Sequence, residues 1–332
     1  MLLTVTQARQ LIFNALTGAG TTKKNATYFT EAILDTELSG LEGHGFDWLQ
    51  YYCAHVKSGK VDGKARPKVK LLTPVAISVD ANRGFAHPAI EAGFAKLIPA
   101  AKRHGIAGMA VHGSYNAATL GFHTGYLARK GLLAFGFTNA MPAIAPVGGT
   151  KPVIGTNPMS FAVPAPKGKI AFLVDQSSSA VAWTTVKTAA DQNRNIPLGW
   201  ALDAKGKPTT EPRKGLGGSM APSGGYKGFG QALMVEVMCA ALTGSLRGPQ
   251  MGSFVDNDGK PIGCGQFFIA IDPRKFSRGA FDAQVKALTK SITTQPGARL
   301  PNSRREANQK KLRKSGLTIT SELHIKLMSF CK

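Results

Sequence analysis

The chain has 332 residues, 43% of them hydrophobic and 18% charged, a globular composition that excludes a disordered chain and is long enough to bury a core without disulfides or metals. No apolar run approaches the ~18 residues of a membrane helix, and the opening MLLTVTQARQLIFNAL spaces its apolar residues helically instead of forming a signal-peptide block, so a cytoplasmic protein with no membrane partner is expected. Lys and Arg number 41 against 19 Asp and Glu, a net charge of +22. The charge is scattered, and its densest stretch, RREANQKKLRK (304–314), lacks the interleaved aromatics of a single-strand binder; it reads as a solvated helical face, and no nucleic-acid partner is expected.

Residues 4–40 read as two helices, the second, around 23–39, carrying Phe29, Ile33 and Leu34 on one side. A polar, glycine-punctuated segment, EGHGFDW (42–48), follows. YYCAHVKSG (51–59) reads as helix stopped by Gly59, and KVDGKARPKV as a turn-rich connector. Strands are then predicted at 75–81, 106–114, 132–140, 159–165, 170–178 and 266–273. Helices are predicted at 88–105, with Pro99 as a kink point, at 119–131, at 181–193, from about Gly228 to Leu242, and around 279–292. Strands alternating with helices predict an α/β domain whose sheet is covered on both faces.

Several generic signals are missing. No GxGxxG lies between a strand and a helix with an acid ~20 residues on; there is no GxxxxGK[ST], and GTNPMS (155–160) is not a nucleophile elbow. Cys53, Cys239, Cys264 and Cys331 form no CxxC pair and no metal-ligand spacing with histidine, so reduced thiols and no metal are expected.

Five constellations can carry chemistry. In Gly43-His44-Gly45, the imidazole can titrate near neutrality, and a ligand could approach over the two glycines; an ordinary turn histidine is the alternative. HGSYNAATLG (112–121) follows a strand and opens a helix with small residues, Ser114 and Asn116, an arrangement that suits a phosphate or a plain helix cap. The proline- and glycine-rich segment 138–164 resembles a shaped binding loop in which Thr156 and Asn157 offer hydrogen bonds to a carboxylate or amide. VDQSSSAVAWTTV (174–186) ends a strand at Asp175, where ligands gather in α/β sheets. PSGGYKGFGQALMVEVM (222–238) opens a helix with Lys227, which could hold an anion or be solvated.

Taken together, the phrases SGKVDGKARPKV, VDANRGFAHPAI, APVGGTKPVIGTNPMSFAVP, IPLGWALDAKGKPTTEP, GGYKGFGQALMVEV and GQFFIAIDP make nearly the whole chain resemble the type-2 malate/L-lactate dehydrogenase family, which includes sulfolactate and ureidoglycolate dehydrogenases and the reductases of piperideine- and pyrroline-2-carboxylate. The resemblance implies a non-Rossmann NAD(P)-binding α/β fold with a mixed sheet covered by helices. It divides the chain into an N-terminal helical part (1–70) supplying the proton donor, a cofactor-binding domain (71–295) and a C-terminal segment (296–332) packing back on the N-terminal part. It implies a homodimer that uses NAD or NADP to move a hydride to or from a small 2-oxo or 2-hydroxy acid of the malate, lactate or sulfolactate type. Reduction of cyclic imino acids is the alternative, and a non-catalytic paralogue a further one.

Residue by residue, the resemblance makes His44 the catalytic proton donor and places Trp48 and Thr156 at the substrate. It places Asn116, Ala117, Ala118, Thr119 and Leu120, then Asp175, Gln176 and Ser177, then Lys227, and finally Pro301, Asn302 and Ser303 at the cofactor. Three positions depart from the family pattern. Gly43 replaces a serine, Trp48 replaces an arginine that faces the substrate carboxylate, and Thr185 stands where the imino-acid reductases carry an aspartate.

Overall fold

The computed structural model describes residues 1–41 and 44–331. Helices α1 (Val5–Gly18), α2 (Lys23–Leu38) and α3 (Phe46–Lys57) open the chain. The first is started by a capping box between Thr4 and Gln7, the second by the Thr22 hydroxyl accepting from the Asn25 N–H. Both caps satisfy amide groups that the first helical turn cannot.

A seven-stranded sheet follows, with β1 (Lys68–Thr73), β2 (Ala76–Asp80), β3 (Ile106–Ser114), β4 (Leu133–Thr138), β5 (Met159–Ala165), β6 (Lys169–Gln176) and β7 (Cys264–Ile271). The spatial order is β1-β2-β3-β7-β4-β5-β6. Only the β2–β3 pair is parallel; the other five are antiparallel. The directions that result bring the carboxyl ends of β3, β4 and β6 to one edge of the sheet, together with the beginnings of β5 and β7. Helices α4 (Ala86–His104) and α5 (Leu120–Arg129) connect the strands; α6 (Trp183–Asp191), α7 (Pro212–Leu216) and α8 (Tyr226–Glu236, continued by a π-turn at Val237–Ala241) build the part beyond β6; and α9 (Phe281–Thr293), α10 (Ser303–Ser315) and α11 (Ser321–Phe330) end the chain.

Helices cover the two faces of the sheet unequally. One face is dry: Val79, Met109, Val111, Ala134 and Phe268 lie under Ile90, Phe94 and Leu97 of α4 and Leu127 of α5. On the other face Phe135, Phe137, Phe161, Phe172, Phe267 and Ile269 are only half-buried. They form ring-on-ring ladders, with Phe135 and Phe161 4.6 Å apart between centroids. A second core joins α1, α2 and α3 to Leu317, Ile319 and Leu327 from the end of the chain, and Leu2–Leu3 pairs with Leu317–Thr318.

Two local expectations change. The connector read at 60–69 runs into strand β1, whose side chains are nearly all exposed. Helix α3 begins at Phe46, inside the segment read as irregular.

Three histidines, His55, His87 and His123, are fully buried. Burial lowers His55, aided by the Lys60 charge, to about 4, and lowers His123 to about 4. Burial, then the neighbouring His123, holds His87 well below its ordinary value. All three are therefore neutral in the fold at pH 7. Between an unfolded value of about 6.5 and a folded value near 4, the unfolded chain takes up protons that the folded chain refuses, so stability falls as pH drops through that window. Thermal unfolding should show a lower Tm at pH 5 than at pH 7. His87→Leu should reduce the difference, because His87 stacks on Phe29 and neither of its ring nitrogens has a hydrogen-bond partner among the described residues. Equal pH dependence in the variant would contradict this.

Candidate active site

A cavity of about 300 Å³ opens where the carboxyl ends of β3, β4 and β6 meet α3. His44, Trp48 and Tyr52 line it from the helical side, Asn116–Leu120 from the loop after β3, Thr138–Ala143 and Thr156 from the segments around β4 and β5, and Asp175–Ser177 from the end of β6. Ligands collect at such strand ends because the connecting loops diverge there and leave backbone groups free.

His44 immediately precedes α3, whose N-cap is Gly45 with no side-chain cap of its own. The cap comes from the preceding helix: the Phe46 N–H donates to the Glu37 carboxylate. A Cβ on Gly45 would fall on that same carboxylate. The expectation that Gly45 is small to let a ligand approach is thus corrected, since its missing side chain makes room for Glu37. Gly43 lies outside the described residues. Glu37 is a site-shaping residue that the sequence did not reveal.

The loop 115–119 is shaped by its own polar groups. The Asn116 side chain accepts from the Ala118 N–H, and Ala118 holds φ +50°. The Thr119 hydroxyl meets Thr36 at 3.1 Å, and His123 Nε2 lies 3.1 Å from the Ala117 carbonyl. Helix α5 then begins with no side-chain cap, as does α6 at Ala182. The residues at both helix starts line the cavity.

Thr156 is placed by its neighbour. Asn157 is fully buried at φ +36°. Its Nδ2 donates to the Ala232 carbonyl at 2.9 Å and to Glu236 at 2.7 Å, and its Oδ1 accepts from the Ala140 N–H at 3.1 Å. Ser178 ties the same turn to the end of β6, its N–H donating to the Thr156 carbonyl at 2.7 Å and its hydroxyl to the Asn157 carbonyl at 2.9 Å. Two sequence motifs, GTNP and DQSSS, are in this way fastened into one wall.

Asp175 receives a guanidinium nitrogen of Arg305 at 2.8 Å, and a second nitrogen donates to the Asp175 carbonyl at 3.2 Å. Arg305 belongs to the basic stretch read as a solvated face; that expectation is corrected here, because its side chain is only 24% exposed and lines the cavity. Lys227 is exposed at the start of α8 and does not line the cavity, nor do Pro301 and Ser303. Asn302 lines a smaller hollow beside it, shared with Thr119 and Arg305.

The opposite wall is a loop held by an ammonium. Lys60 is 4% exposed, and its Nζ donates to the carbonyls of Ser253, Asp256 and Asp258 at 2.5, 2.5 and 3.0 Å. Ser58 adds a bond to the Asn257 carbonyl at 2.7 Å. The loop so held carries Phe254 and Val255 into the cavity. Lys60→Met would leave three carbonyls without their donor, at a cost of about 1–3 kcal/mol. It should expose residues 252–260 to limited proteolysis and raise the substrate KM; an unchanged cleavage pattern would show that Lys60 does not hold the loop.

The cavity fits an anionic dinucleotide at its polar end. Two uncapped helix starts and the Arg305 guanidinium present donors, and the Thr184 hydroxyl lines the same cavity buried and without a partner among the described residues. Among the described residues, no group of three or more His, Cys, Asp or Glu side chains could hold a metal. Burial pushes the thiols of Cys53, Cys239 and Cys264 up, so they stay protonated and unreactive.

Comparison with known proteins agrees with this architecture. The model of the malate/L-lactate dehydrogenase family matches residues 3–328. A (2R)-3-sulfolactate dehydrogenase (NADP(+)) from Chromohalobacter salexigens is 40% identical over 92% of this chain and 91% of its own. A Δ1-pyrroline-2-carboxylate reductase from Ancylobacter novellus is 35% identical over 98% of this chain and 96% of its own. The crystal structure of Δ1-piperideine-2-carboxylate reductase from Pseudomonas syringae superposes with a TM-score of 0.93 at 31% identity, covering 99% of both chains. The cavity at the strand ends, the sheet that carries it and these matches together place the chain in the malate/L-lactate dehydrogenase family of oxidoreductases.

Proposed function

We propose that the cavity transfers a hydride between NAD or NADP and a small 2-oxo or 2-hydroxy acid, with His44 as proton donor. The single observation that carries this reading is the meeting of His44 and Thr156 with the donor-rich loops 116–120 and 175–177 around one cavity. A nicotinamide held in the cavity would supply the hydride for C2 of the acid. His44 gives its proton to the oxygen that becomes negative as the carbonyl is reduced, so the product is a neutral hydroxyl. Thr156 donates to the substrate carboxylate, and Asn157 keeps it there. Phe254 and Val255 cover the site and exclude water, which strengthens both hydrogen bonds. The start of α5 and Arg305 would hold the phosphates of the cofactor.

The same proton donor serves reduction of a cyclic C=N bond, and the 35% identical pyrroline-2-carboxylate reductase supports that second reading. Loss of NADH or NADPH absorbance with pyruvate, oxaloacetate, sulfopyruvate and piperideine-2-carboxylate tests both. Turnover of an oxo acid supports the first, turnover of the imino acid alone supports the second, and cofactor binding without turnover of any contradicts both.

We place the enzyme in the cytoplasm; among the described residues no helix is long and apolar enough to cross a membrane. We also read it as a homodimer. The half-buried phenylalanine face of the sheet supports this, as do Leu233, Met234 and Val237 on and beside α8, which are 47%, 64% and 53% exposed. Apolar surface of this kind is characteristic of a subunit interface.

A further inference from the structure

The end of the cavity beside His44 is apolar. Trp48, Tyr52, Met141 and Phe254 line it, with the Trp48 and Phe254 rings edge to face at 6.3 Å between centroids. Two polar side chains nearby are already used: the Thr138 hydroxyl donates to the Gly265 carbonyl at 3.2 Å, and the Asn139 amide is held between the Leu246 carbonyl and the Gly265 N–H at 2.9 Å each. Among the described residues lining the cavity, apart from His44, the only charged side chains are Arg305 and Asp175, which pair with each other at 2.8 Å at the end assigned to the cofactor.

That charge distribution selects among acids. A substrate with a second anionic group, such as a dicarboxylate or a sulfonate, would bury that group against the rings of Trp48 and Phe254 and against Met141, with no Lys or Arg of the described residues lining that end to meet it. Among the described residues that line the cavity, a protonated imine would meet no carboxylate but Asp175, which is committed to Arg305. A neutral carbonyl flanked by one carboxylate needs neither. Its single carboxylate has Thr156, and an apolar substituent would cover the Trp48–Phe254 wall.

We propose that the substrate is a 2-oxo monocarboxylate whose substituent is a branched alkyl or aryl group, and that Trp48 is the specificity-determining residue. This rests on the hydride-transfer reading of the same site. Each methylene added to the substituent should raise kcat/KM about fourfold until the wall is covered.

The experiment is a kcat/KM panel on the full chain with saturating cofactor: pyruvate, 4-methyl-2-oxovalerate and phenylpyruvate against oxaloacetate, sulfopyruvate and pyrroline-2-carboxylate. The expected result is a preference of about 100-fold for the alkyl and aryl oxo acids over the dianions, with pyruvate between. Trp48→Arg should reverse the order by lowering the apolar acids at least about tenfold and raising oxaloacetate and sulfopyruvate, and NAD(P)H fluorescence titration would establish that the variant still folds and binds cofactor. Should that variant fail to fold, Trp48→Phe, expected to keep the preference for apolar acids, takes its place. Oxaloacetate, sulfopyruvate or the cyclic imino acid outrunning the alkyl and aryl acids in the unmodified chain overturns the substrate class but leaves hydride transfer standing. Cofactor binding with no turnover of any acid overturns both.

Discussion

His44→Ala is expected to lower kcat by about two to four orders of magnitude while leaving NAD(P)H binding almost unchanged. The separation follows from position. His44 stands before α3 on the helical side of the cavity, whereas the loops assigned to the cofactor, 116–120 and 175–177, belong to the ends of β3 and β6. Removing the imidazole takes away the proton needed as the carbonyl oxygen becomes anionic; among the described residues, the other titratable side chains lining the cavity apart from Asp175 and Arg305 are Tyr52 and Cys264, whose thiol burial pushes up. Burial raises the Tyr52 phenol, which leaves it a poor substitute at neutral pH. Steady-state rates and a fluorescence titration on the same preparation check the two halves of the expectation. Full activity in the variant would remove His44 from the mechanism, and a loss confined to cofactor affinity would reassign it.

Asn157→Ala is expected to destabilise the fold by about 4 kcal/mol and to lower Tm by roughly 6 °C. Three hydrogen bonds disappear, one of them to the carboxylate of Glu236. Glu236 is 8% exposed and would keep only the Gly248 N–H, at 2.9 Å from its other oxygen. Losing a partner of a buried charge costs more than losing a neutral bond. Alanine is also strained at the φ of +36° that asparagine tolerates there. Because Thr156 rides on the same turn, activity should fall further than the unfolded fraction explains. Asn157→Asp should be worse than alanine near neutral pH, because it sets a second carboxylate against Glu236, and it should recover as the pH falls. Calorimetry of the three proteins at two pH values would decide; an alanine variant as stable as the parent would mean that the turn is held by Ser178 alone.

What could be read in advance divides along physical lines. Strands β3 to β7 were legible because each is a short apolar run bounded by turn residues, and the predicted spans differ from the observed ones by at most two residues at either end. Strand β1 escaped because an exposed edge strand, Lys-Val-Lys-Leu-Leu-Thr, has no buried face to pattern it. The start of α3 escaped because its cap is tertiary: Glu37 belongs to another helix, so no local capping motif announces it. The C-terminal helix α11 follows a Thr320 N-cap that was visible but unread.

At the site, the family resemblance drew attention to His44, Thr156 and the two cofactor loops, and the fold brings them to one cavity. Arg305 was hidden in a run of like charges, where a solvated face is the ordinary reading; its partner Asp175 lies 130 residues away in sequence. Likewise Phe254 enters the cavity only because Lys60, from the other end of the chain, holds its loop. Contacts of this kind depend on the fold being formed and leave no periodic trace.

The central claim is hydride transfer between nicotinamide and C2 of the acid, and deuterium tests it most directly. With NADH or NADPH deuterated at the transferable C4 position and 4-methyl-2-oxovalerate in ordinary water, mass spectrometry of the product should find one deuterium on C2 and none lost to solvent. A hydroxy acid formed without the label, or with the label washed out into water, would contradict the account.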